Sequence, residues 1–178
     1  DPMKECCVLP IFTPGEITLP PIPQFTYQQT LKDDLAAGRT TAAQAMNLLT
    51  VMQTIRSFEE CIVDMKDGKW APMEGFKFIG ASHLSIGQEA VAAGALSTIQ
   101  QRDFITSTHR GHGHGIAKAY FALLEMTRDE LLAWLQQSAA PAEVLTAART
   151  EAHAQVLERA IDLHLFKTFA ELFGKEEG

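Results

Sequence analysis

The sequence predicts a mostly α-helical chain, and three observations carry that reading. Apolar residues from Ala45 to Met65 recur at steps of three and four, the mark of one buried helical stripe. Thr127 and Glu130 stand in the capping-box spacing that opens a helix. β-Prone patterning is confined to one short run, Phe104–Thr106, so no doubly wound sheet can be assembled.

Composition sets the outer limits. The chain has 178 residues, 46% of them hydrophobic, enough for one domain with a real core and room for a small appendage. Its net charge is −7 and it has no long basic run, which argues against nucleic acid and against an anionic membrane surface. No apolar run approaches the roughly 20 residues of a membrane span. No signal peptide is visible, and Asp1-Pro2 ahead of Met3 reads as a cloning scar. Cys6, Cys7 and Cys61 make no disulfide framework, since the count is odd and adjacent cysteines rarely pair. A reducing cytoplasm is the simplest setting.

The elements follow in order. Residues 8–26 carry Pro10, Pro14, Pro20, Pro21 and Pro23, which exclude helix and predict an extended arm. Apolar side chains between the prolines suggest a strap lying on its own domain or on a partner. Thr40–Asp67 is the first strong helix, capped by Thr40 or Thr41 and ended by Gly68. Its stripe is Ala45, Leu48, Leu49, Met52, Ile55, Phe58, Ile62 and Met65, which leaves Arg56, Glu59 and Glu60 to a solvated face. Trp70–Ser82 is irregular. A helix rich in small residues runs from Gly87 to Gln101, and Ala90, Ala93, Gly94 and Ser97 would let another backbone approach. Phe104–Thr106 reads as a strand. A third helix starts near His114–Ile116 and runs toward Glu125. Thr127 opens a fourth through Gln137, and a last one spans Ala142–Phe173.

Chemistry concentrates in Thr106–Gly115, T-S-T-H-R-G-H-G-H-G. Alternating glycines permit positive φ and close backbone approach. Arg110 supplies a permanent forked cation, and His109, His112 and His114 titrate near neutral pH. The helix start that follows exposes unpaired N–H groups at a positive dipole end. Together they suit an anion, and diphosphate is the obvious class. Metal ligation by the three histidines is the rival reading, and it lacks a neighbouring carboxylate or cysteine. A purely structural turn is another. A second cluster, S-H-L-S-I-G-Q-E-A from Ser82, places His83 just before a helix with Gln88 and Glu89 in its first turn.

Together I-R-S-F-E-E, H-L-S-I-G-Q-E-A-V-A-A-G-A-L, D-F-I-T-S-T-H-R-G-H-G-H-G-I-A-K and F-A-E-L-F-G-K resemble one family. They look like the alpha subunit of the thiamin diphosphate-dependent dehydrogenases of 2-oxo acid and acetoin dehydrogenase complexes. The H-R-G-H-G-H form looks more like the acetoin branch. The resemblance covers Met46–Lys118 and Phe169–Gly178. It implies an incomplete α/β thiamin diphosphate-binding fold, a cofactor diphosphate held by His109, Arg110 and Gly111, and Gln88 on the cofactor side. His83, His112 and His114 would lie near the reacting centre, with Gln88 and Glu89 bracing it. It further implies a beta subunit as partner, an oligomer, and transfer of the product to a lipoyl acyltransferase.

The sequence departs from that family in two places. The G-D-G motif expected to hold magnesium does not occur, so the chain reads as a truncated alpha region, inactive alone, with the magnesium ligands elsewhere. Residues 119–168 intervene where the family has a short link, and they read as an inserted helical hairpin in which His153 and His164 are surface or packing residues. The expected organisation is therefore an arm over 1–39, the N-terminal part of the binding domain over 40–118, the insertion over 119–168, and a return over 169–178. The alternative reading is a non-catalytic assembly or regulatory module derived from the same family.

Overall fold

A computed structural model describes residues 14–16, 18–24 and 26–174. The proposed scar, Met3, Cys6, Cys7, the first part of the arm and residues 175–178 lie outside the described residues. Among the described residues the elements are all helices: α1 (Leu31–Ala36), α2 (Ala42–Lys66), α3 (Glu89–Leu96), α4 (His112–Leu124), α5 (Arg128–Gln137), α6 (Ala142–Ala148) and α7 (His153–Leu172). The mostly α reading holds.

The Phe104–Thr106 strand does not form. An isolated strand leaves its N–H and C=O groups unpaired, and no neighbouring strand is there to take them. Phe104 is fully exposed instead. The described part of the arm has no helix, and Leu19 and Ile22 are 70% and 81% exposed, so it is no strap on its own domain. It leads into α1, which the sequence reading missed. The signal was Thr30 with Asp33, a capping box that closes in both directions.

α2 is capped by Thr41 and Gln44 and stops at Asp67, followed by Gly68 at φ +71°. Val51, Ile55, Phe58, Ile62 and Met65 form its buried stripe, while Leu49 is largely exposed. α3 is shorter than its small residues suggested. Ser97 Oγ donates to the Gly94 carbonyl at 2.9 Å and Thr98 Oγ1 to the Ala95 carbonyl at 2.8 Å, occupying acceptors at its end. It buries Glu89, Ala92, Ala93 and Leu96, whereas Ala90, Gly94 and Ser97 face outward, so only part of the small-residue face is used.

The expected single helix over Ala142–Phe173 is two. Arg128 donates from Nη2 to the carbonyls of Ala148 and Arg149 and from Nε to that of Glu151, which satisfies the end of α6. The chain then restarts as α7. α2, α3 and α4 pack together, α7 lies against α4, and α5 and α6 pack on α7. Two cores result. One gathers Val51, Ile55, Phe58, Ile62, Ala92, Ala93, Leu96, Ile116 and Ala117. The other gathers Leu123, Leu131, Leu135, Ala148, Val156, Ala160 and Leu163.

Candidate functional site

Three segments distant in sequence are tied together around the start of α4. Arg56 of α2 donates from Nε to Glu89 Oε1 at 2.6 Å, and the Gly87 N–H donates to both Glu89 oxygens at 3.0 Å. The Arg56 hydrogen bond holds the Glu89 carboxyl below the usual carboxylate range, against the opposing pull of burial. Buried Ser85 donates from Oγ to the Arg110 carbonyl at 2.9 Å. Glu59, fully buried in α2, has Oε1 at 3.1 Å from His112 Nδ1. The Arg56, Ser85 and Glu59 bonds each join two of the motifs on which the family resemblance rests.

The glycines work differently from expectation. The helix begins at His112, so the second half of the His109–Gly115 loop is its first turn. Gly111 has φ −71° and sits in right-handed backbone, not in a positive-φ turn. Gly113 provides the close approach. A Cβ there would lie 3.3 Å from Ile55 Cγ2 and 3.4 Å from Ser85 Cβ, so the absent side chain lets α4 seat on α2 and the 82–89 segment.

A small cavity of about 180 Å³ opens beside this junction, lined among others by Ser82, His83, His109, His112, Phe78 and Phe173. The His83 and His109 rings meet edge to face at 4.6 Å. Arg110 Nη1 stands 2.8 Å from His109 Nε2; a guanidinium only donates, so that nitrogen accepts and the His109 ring proton sits on Nδ1. Two buried polar atoms have no partner here, Ser82 Oγ and Glu59 Oε2. His114 takes another direction, with Nδ1 3.1 Å from Ser107 Oγ. Gln88 is the exposed N-cap of α3 and makes no side-chain cap bond.

Gly111 gives α4 no side-chain cap, so no capping side chain takes the first N–H groups of a thirteen-residue helix that starts just after Arg110. That donor set fits the diphosphate end of a cofactor. Among the described residues no three His, Cys, Asp or Glu side chains cluster closely enough to hold a metal ion. Of the sequence-predicted residues, His83, His109 and His112 share the cavity, Arg110 and Gly111 stand at the helix start next to it, and His114 and Gln88 are set apart.

Glu59 is the buried partner of His112 that the sequence reading missed. It was assigned to a solvated face, yet it stands four residues after Ile55 and three before Ile62, inside the buried stripe. That spacing was the available signal. Ser85 was missed as well, for a lone serine in a loop carries no pattern.

The dehydrogenase E1 component family matches residues 52–134, which extends through most of α5, beyond Lys118 where the resemblance was first placed. The alpha subunit of acetoin:2,6-dichlorophenolindophenol oxidoreductase from Bacillus subtilis is 40% identical over 78 residues, 44% of this chain and 21% of that protein. The subunit of the same name from Cupriavidus necator is 48% identical over 75 residues, 40% of this chain and 20% of that protein. The chain thus spans about one fifth of the length of these relatives. No solved structure matches. Residues 52–134, which hold Glu59, His83, Arg110 and His112, are the part of the chain that matches the dehydrogenase E1 component family.

Proposed function

We propose that the chain is part of the alpha subunit of a thiamin diphosphate-dependent dehydrogenase that cleaves acetoin or a 2-oxo acid and passes the acyl group to a lipoyl acyltransferase. The observation that carries this is the gathering of His83, His109, His112 and Arg110 at the start of α4, within the segment that matches the family. When bound, thiamin diphosphate supplies an electron sink for breaking a bond beside a carbonyl. The chain's own residues bind and orient. Arg110 and the first N–H groups of α4 hold the diphosphate. His109 occupies one of the Arg110 donors and so fixes the guanidinium plane. His83 and His112, on the cavity wall, orient substrate or move protons. Glu89, braced by Arg56, keeps the 82–89 segment against α2.

Magnesium ligands and the rest of the pocket come from other polypeptide, a beta subunit or further alpha sequence, so the working enzyme is an oligomer of the cytoplasm. The chain alone is then inactive. Two titrations test this. Inorganic diphosphate should bind the chain weakly, and Arg110→Gln should weaken it about tenfold or more, the loss of a charge-assisted hydrogen bond. Equal binding by both proteins would remove Arg110 from the site. Thiamin diphosphate with magnesium should show no tight binding; submicromolar affinity for this chain alone contradicts a shared site.

A further inference from the structure

Glu59 raises a question that packing does not answer. Its carboxyl group is fully buried in the middle of α2, and one oxygen, Oε2, has no partner. An apolar side chain would fill the same space without desolvating a carboxyl group. Among the described residues its carboxyl has one hydrogen-bond partner, His112 Nδ1, 3.1 Å from Oε1. The His112 side chain is 16% exposed and forms part of the wall of the cavity shared with Ser82, His83 and His109.

A neutral carboxyl would donate to Nδ1, but an ionised one only accepts, and the bond then puts the ring proton on Nδ1. That leaves Nε2 bare, as a lone pair. An unconstrained neutral imidazole in water favours the opposite form, with the proton on Nε2. We propose that Glu59 is a positioning residue that locks His112 in the Nδ1–H tautomer, so that His112 meets a ligand in the cavity as a hydrogen-bond acceptor through Nε2. The ligand group opposite must then be a donor, a hydroxyl or an amine, and not a carbonyl oxygen. Ser82 Oγ, buried and unpartnered on the same wall, offers the complementary hydroxyl. A cavity of about 180 Å³ suits a compound of few heavy atoms.

What the tautomer means for catalysis rests on the function proposed above, but the tautomer itself does not, and it is read without cofactor or activity. Nitrogen-15 spectra of histidine-labelled chain at about pH 8, above the ordinary imidazole range, distinguish the two ring nitrogens. The expected wild-type spectrum has His112 protonated at Nδ1 alone, assigned by its loss in His112→Gln. In Glu59→Gln, of equal size, the amide donates as well as accepts, so both tautomers should coexist. Circular dichroism checks that the helices persist. Protonation of wild-type His112 at Nε2 overturns the proposal, as does protonation at both nitrogens. An unchanged tautomer ratio in a folded Glu59→Gln also overturns it. The wild-type spectrum decides on its own if that variant does not fold.

Discussion

His164 shows what a buried imidazole does to the whole chain. It sits on α7, and burial pushes its pKa down, opposed by a hydrogen bond with the Gly115 backbone. Its Nε2 has no partner. The unfolded chain therefore takes up a proton near the ordinary value of about 6.5, where the folded chain still refuses it. Stability is full above that value and falls as pH drops from it toward the lower folded value, no more steeply than about 1.4 kcal/mol per pH unit. Urea unfolding at about pH 7.5 and about pH 5.5 should show the wild type losing more stability than His164→Leu. Equal losses would show that His164 is not the group responsible. The sequence reading left it as a surface or packing residue, and its electrostatic consequence needed the burial. His153 differs: it is exposed, with Nε2 2.9 Å from the Met126 carbonyl.

At the scale of elements, local signals proved reliable where they were self-contained. Thr127 accepts from the Glu130 N–H and Glu130 accepts from the Thr127 N–H, so the capping box read from two residues is the one that forms. Thr127→Ala should cost about 1 kcal/mol in chemical unfolding, while an unchanged midpoint would deny the cap a role. Signals that depend on distant partners were not legible. The break between α6 and α7 is made by Arg128, some twenty residues upstream. The Phe104 run is β-prone, but a strand needs a neighbour that sequence periodicity does not supply. The site divides the same way. Arg110 and the histidines announced themselves by density and the spacing of Glu59 within the stripe was readable, whereas its pairing with His112 depends on α4 closing over α2. The start of α4 was misplaced because glycines read as turn formers, while here Gly113 lies inside the helix as a point of contact.

Across the whole molecule, α4 and α7 bind the two cores into one cooperative body. α4 places Ile116 and Ala117 in the first and Leu123 in the second. α7 places Val156, Ala160 and Leu163 in the second and Phe169 against the first. Leu131 is fully buried in the second core, remote from the site. Leu131→Ala should cost about 2–5 kcal/mol. Far-ultraviolet circular dichroism and the fluorescence of Trp134, packed on the second core, should still report one coincident transition. Two separated transitions would mean that the cores fold independently. The same architecture gives the site an order of assembly. Ser85 reaches its partner across 25 residues, Arg56 across 33 and Glu59 across 53. In a growing chain α2 is complete before His112 exists. Until then Glu59 has only water to bond, and closing the apolar stripe around it would strand its carboxyl group. The pair that joins α2 to α4 is complete only once residue 112 has been made, 53 residues after Glu59.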